Sequence, residues 1–192
     1  QINDALGAGK KYIITYSGLS RKPDIEQVFY FYSDKDYFLT EARMTSTVTR
    51  SSNYLAPVVT EIRSSFLADE EENRVLSVPF DNDAWICYYT YPFEKDTISF
   101  EVAALYSSKS RKGLVIGSVD HDHWKSAIRY SVRDNRYIDK LECFAGVSHS
   151  LTRDKKEHGS LSGKTVGSPR MLVGVFDDWR LGMETYADAN AQ

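Results

Sequence analysis

The sequence predicts an all-β chain: a large antiparallel β-sandwich closed by one short C-terminal helix. Three observations carry this expectation. Apolar or alternating runs of strand length recur almost from end to end. The segments between them are brief and rich in turn residues. The 192 residues include thirteen Tyr and nine Phe, a population that favours sheet over helix.

The first run is Tyr12 to Tyr16, set off by Ser17-Gly18-Leu19-Ser20. Val28 to Tyr32 and Tyr37 to Met44 follow, joined by the turn Ser33-Asp34-Lys35-Asp36. Then come Tyr54 to Ile62, Val75 to Val78, Trp85 to Thr90, Ser99 to Tyr106, Leu114 to Val119, Ile128 to Val132 and Ile138 to Ala145. Met171 to Phe176 is the last strand of a domain spanning 1–176. Ten or more strands with turns at this spacing read as a sandwich. The acidic stretch Asp69 to Asn73 reads as a solvated turn, and His149 to Pro169 as a long excursion with one weak strand over Lys164 to Val166.

The end of the chain, 177–192, changes period. Asp177-Asp178 can cap a helix, and Trp179, Met183 and Tyr186 then share one face. Gly182 weakens that helix by roughly 1 kcal/mol relative to Ala. An amphipathic helix here either packs on the sandwich or leads into a further domain, so the three apolar residues are candidates for interdomain packing.

Composition excludes several classes. A net charge of −3 argues against nucleic acid, which asks for a clustered positive surface. No apolar run reaches the length of a membrane span, and no signal peptide is visible. Cys87 and Cys143 lack a metal-binding spacing. They read as two buried free thiols, or as one disulfide if the chain is exported. Nothing asks for a cofactor or a metal.

Chemistry concentrates in two segments. The first is Val78-Pro79-Phe80-Asp81-Asn82-Asp83-Ala84-Trp85, where Asp81, Asn82 and Asp83 stand in a row beside aromatics. Carboxylates and an amide suit sugar hydroxyls, and an aromatic ring suits the C–H face of a sugar. The same run is equally a strand-connecting turn with Asx side chains bonded to the backbone. As a retaining glycosidase pair the two Asp would need carboxyls about 5–5.5 Å apart in a pocket that nothing here shows. The second segment runs from Gly113 to Lys125. Gly117 inside an apolar strand predicts a bulge or a close approach of another backbone. His121 and His123 alternate and share a face, but no third metal ligand follows by spacing. Asp122 lies between them, and Trp124 offers a large apolar surface with one N–H that needs a partner. Gly159 to Thr165 is one residue short of a phosphate loop, and no Gly-x-Ser-x-Gly elbow surrounds Ser148-His149-Ser150.

These two segments, followed by Phe176-Asp177-Asp178-Trp179-Arg180-Leu181-Gly182-Met183-Glu184, resemble in content and order the N-terminal region of α-galactosidase-like glycoside hydrolases of family 36. The resemblance covers most of the chain. It implies a large sandwich, a supersandwich, followed by a helical linker into a (β/α)8 barrel that holds both catalytic aspartates. None of those catalytic residues has a counterpart here. The implied chain is therefore not an enzyme on its own, but a non-catalytic accessory domain whose partner is the barrel of the same polypeptide. Its candidate sugar contacts are Asp81, Asn82, Asp83, Trp85, His121, Asp122, His123 and Trp124. A free-standing carbohydrate-binding module and a purely structural interaction domain are the alternatives. The expected location is extracytoplasmic, periplasmic or secreted.

Overall fold

A computed structural model describes residues 1–61, 67, 72–80, 87–93, 96–133, 137–146 and 160–192. In chain order the strands are β1 (Ile2–Asp4), β2 (Gly7–Tyr16), β3 (Asp24–Tyr32), β4 (Tyr37–Ser52), β5 (Leu55–Glu61), β6 (Asn73–Ser77) and β7 (Tyr89–Pro92). There follow β8 (Thr97–Phe100), β9 (Val102–Ser107), β10 (Gly113–Ser118), β11 (Ser126–Arg133), β12 (Tyr137–Ala145), β13 (Leu161–Gly167) and β14 (Met171–Phe176). Helix α1 (Trp179–Asn190) closes the order. The polar turn Asp81-Asn82-Asp83 and Trp85 lie outside the described residues, as do 69–71 of the acidic stretch and 149–159 of the excursion.

The strands form two antiparallel sheets, as the alternating runs predict. The large one has ten strands in the order β1-β2-β3-β4-β14-β10-β9-β6-β7, with β13 paired to the far part of β4. The small one has four, β5-β12-β11-β8. Their facing sides interdigitate: Val75, Leu105, Ile116 and Met171 from the large sheet meet Ile128, Tyr130, Leu141 and Cys143 from the small one, all buried. Two layers sharing one apolar filling is the minimal stable arrangement for amphipathic strands.

The predicted run Ser99 to Tyr106 is broken by the fold. It ends as β8 in the small sheet and resumes as β9 in the large one, and Glu101 makes the turn at φ 68°. Its backbone stays paired at the crossing: Glu101 N donates to Ser126 O at 3.1 Å, and Ser118 N donates to Glu101 O at 2.8 Å. A left-handed conformation is costly for a side chain with a Cβ, so the surrounding bonds must hold it.

The helix takes the first of its two expected courses. Asp178 caps it by accepting from Arg180 N. Its apolar face lies on the outer side of the large sheet, where the Trp179 ring stacks on Tyr106 at 4.2 Å and Tyr186 is buried. Met183 packs against the same cluster. Trp179, Met183 and Tyr186 are thus spent on the helix's own domain and do not form a free patch for a partner. Two glycines permit this. A Cβ on Gly117 would stand 2.6 Å from the Tyr186 ring, and one on Gly182 would stand 2.5 Å from the Phe176 ring. Gly117 therefore marks a close approach, with no bulge in the β10 pairings.

Both cysteines are free. Cys143 is fully buried in the core, which pushes its thiol well up. Cys87 is exposed, contrary to the reading of two buried thiols, because it falls ahead of β7 and outside any strand. No described helix is long and apolar enough to cross a membrane.

Candidate functional site

The segment after β10 leaves one end of the sandwich and returns as β11. Four anchors hold it. Asp120 receives Arg170 through Nη2 at 2.6 Å and Nε at 3.0 Å, and the Arg170 backbone N–H at 2.8 Å. Burial opposes ionisation of Asp120, but these hydrogen bonds and the guanidinium charge outweigh it and hold the carboxyl below its usual range. Trp124 is buried and donates its Nε1–H to Gly167 O at 2.8 Å. The backbone of Gly146 donates to Lys125 O at 2.9 Å. His121 bridges two elements, with Nδ1 3.1 Å from Glu101 Oε2 and Nε2 2.7 Å from Asn190 Oδ1 on the helix.

Glu101 is the hub. Its carboxylate also accepts from Ser126 Oγ at 2.8 Å and pairs with Lys125 Nζ at 3.0 Å. Three charged or polar partners on one carboxylate offset the strained backbone that places it there. Sequence reasoning missed Glu101, since nothing in an apolar strand run marks the residue that will change sheets.

The predicted contacts therefore divide. His121 and Trp124 are structural: one ties the loop to the helix, and the other walls the gap between the sheets with Ala145 and Val166. Trp124 has no open ring face for a sugar, which corrects its candidacy as a stacking surface. Asp122 and His123 are exposed. Among the described residues no group of three His, Cys, Asp or Glu could hold a metal.

Lys125 links this loop to a second feature. Its ammonium sits 5.2 Å over the ring of Phe80, the last described residue before the polar turn. Phe80 meets Phe100 edge-on at 5.2 Å, and both join Phe144 on the outer face of the small sheet. Tyr54 stacks on Phe144 at 5.5 Å and remains 41% exposed. The Tyr54 hydroxyl donates to Glu142, which also receives Arg129 Nη1 at 2.5 Å. Burial and then Glu142 raise the Tyr54 hydroxyl above its ordinary value. An open cavity of about 490 Å3 adjoins this strip, lined by Ile98, Phe100 and Arg129 among others. The strip had no signal in the sequence, because Tyr54 precedes β5 while Arg129 and Glu142 lie on β11 and β12, and only the sheet brings them together.

No protein-family model matches the chain, and no curated protein matches it. One solved structure that does match is a Klebsiella pneumoniae protein described as an aldose 1-epimerase. The two are 12% identical with a TM-score of 0.47, and the match covers 88% of this chain and 50% of that one. The chain thus spans about half the length of that protein. A likeness this weak carries no role over to this chain and gives no specific support to a family 36 domain. The expectation that this chain is no enzyme is withdrawn, because the matched protein is described as an epimerase.

Proposed function

We propose that the chain is the sugar-contacting β-sandwich of an α-galactosidase-like glycoside hydrolase, with a (β/α)8 barrel as its neighbour. The observation that carries this reading is the aromatic strip in which Lys125 and Phe80 connect, through the buried Phe100 and Phe144, to the exposed Tyr54 with Arg129 and Glu142, next in the chain to the exposed Asp122 and His123. Such a surface meets both needs of a saccharide. Aromatic rings accept its C–H faces, and flanking carboxylate, imidazole and guanidinium groups bond its hydroxyls. The loop is locked from behind by Asp120, His121 and Trp124, so little ordering cost is added when it binds. The polar turn 81–83, which begins just after Phe80, supplies further acceptors in this reading.

Calorimetric titration of the 192-residue chain with α-galactosides, and with β-glucosides for comparison, tests this. Saturable binding is expected with the α-galactosides. Tyr54→Ala, and the double variant Asp122→Ala/His123→Ala, should each weaken it about tenfold or more, a loss of roughly 1.4 kcal/mol. Absence of saturable heat with every sugar, or affinity indifferent to both variants, would sink the proposal.

A further inference from the structure

The two sheets are unequal, and the inequality leaves a face open. The small sheet covers the large one over β6, β9, β10 and part of β14. Of β2, β3 and β4 the small sheet reaches only the inner edge, where Pro57 O of β5 accepts from Gln27 Nε2 at 3.1 Å; beyond that contact Tyr12, Tyr16 and Phe31 stay exposed. Register puts Tyr12 opposite Phe29, Lys10 opposite Phe31, and Phe31 opposite Phe38, so these side chains share that face. They form one aromatic array: Tyr12 meets Phe31 edge-on at 5.8 Å, and Phe31 lies 5.4 Å from Phe38. Where the small sheet stops, a cavity of about 500 Å3 opens between Phe29, Phe38, Pro57 and Val173. The intersheet core therefore does not end in a polar rim. It runs out from under the small sheet and continues as exposed apolar surface.

The extent of this surface decides what can cover it. Tyr12, Tyr16 and Phe31 are 51%, 60% and 45% exposed, and Ile14, Ile25 and Val175 are open to a similar degree. Half-open aromatics leave roughly 100 Å2 each and half-open aliphatics somewhat less, so the patch is roughly 500–600 Å2. That is the upper end of what monomers expose. With the half-buried Phe29, Phe38 and Val173 and a polar rim it reaches the ~800 Å2 per partner of a stable interface.

We propose that a second copy of this chain packs on this face, sheet against sheet, about a two-fold axis near Phe31. The large sheet already accepts a sheet on the other half of the same face, so the mode of packing is one that it demonstrably supports. Two such faces laid together at the ~10 Å spacing of stacked sheets give each β2–β3–β4 layer the cover it lacks. The charged residues at this part of the face include Lys10, Lys35 and Asp36, of both signs and all exposed. A two-fold arrangement can set a lysine of one copy against the aspartate of the other.

Sedimentation velocity and light scattering over a concentration series of the full chain test this. A dimer with a dissociation constant on the order of 1–100 μM is expected. Phe31→Glu and Tyr12→Glu, both at exposed positions, should each give a monomer with an unchanged circular dichroism spectrum. Leu181→Glu, exposed on the helix away from this face, should leave the dimer intact. A wild-type chain that stays monomeric at about 100 μM overturns the proposal. So does a dimer that survives both charge insertions.

Discussion

Gly117→Ala isolates the contact that seats the helix. The backbone at Gly117 is an ordinary strand, since no positive φ is required there. Alanine should therefore gain about 0.4–1 kcal/mol by restricting the unfolded chain. Against this, its Cβ would stand 2.6 Å from Tyr186 Cε2 and 3.0 Å from Tyr186 Cζ. Carbon atoms prefer about 3.5–4.0 Å, so the ring must retreat by roughly 1 Å. The ring is not free to do so, because its hydroxyl donates to Ser118 O at 2.9 Å. Overpacking of this kind costs about 1–3 kcal/mol, and a weakened hydrogen bond adds about 1 kcal/mol. The net loss expected is about 1–3 kcal/mol, or a fall in Tm of roughly 2–10 °C for a chain of this size. Urea denaturation followed by circular dichroism reads it. The mechanism predicts more than the sign: in a Tyr186→Leu background the ring atoms are gone and only the 3.0 Å approach to Glu101 O remains, so Gly117→Ala should cost clearly less than in the wild type. Equal costs in the two backgrounds would refute the argument, because they would place the penalty in β10 itself.

Two further outcomes follow from the loop anchors. The Asp120 carboxyl is held below its ordinary value, so the Asp120–Arg170 pairing stabilises the fold fully above the unfolded pKa of about 3.9 and fades as pH falls through the lower folded value. Asp120→Asn should cost about 1–3 kcal/mol near neutrality, discounted for partial exposure, and the gap to wild type should close in acid; a gap independent of pH would contradict the ion pair's role. Trp124→Phe keeps most of the apolar surface but strips the donor from Gly167 O, and denaturation should show a loss of about 1–3 kcal/mol, whereas a neutral result would mean that water replaces the indole N–H.

Much of the strand order was legible because its signal is local. Tyr12 to Tyr16, Val28 to Tyr32 and Ile138 to Ala145 alternate or run apolar over strand length, and each lies within an observed strand. The short β1, of three residues, left no such pattern. Lys164 to Val166 read as one weak strand and proved to be the middle of β13, whose partner is the far part of the sixteen-residue β4. The candidate site was legible only as a segment. Asp120 to Lys125 stood out by composition, but composition does not say which side chains turn inward. His121 and Trp124 are occupied by Glu101, Asn190 and Gly167, and those partners lie 20, 69 and 43 residues away.

The sequence by itself determined the all-β class, the run of strands and the helix at the end, because hydrophobic periodicity and turn chemistry act over a few residues. It also marked Gly117 as a bulge or a place where another backbone comes close; the structure sets the Tyr186 ring there, with Glu101 O beside it. Tertiary structure alone decided where each strand goes. It sent β8 and β9 into different sheets at Glu101, and it laid Trp179, Met183 and Tyr186 on their own domain. Among the described residues it also gave the large sheet ten strands and the small one only four. That last imbalance has no local cause. A strand's pattern records that one face is to be buried, and only the packing of whole sheets shows which of those faces is left without a cover.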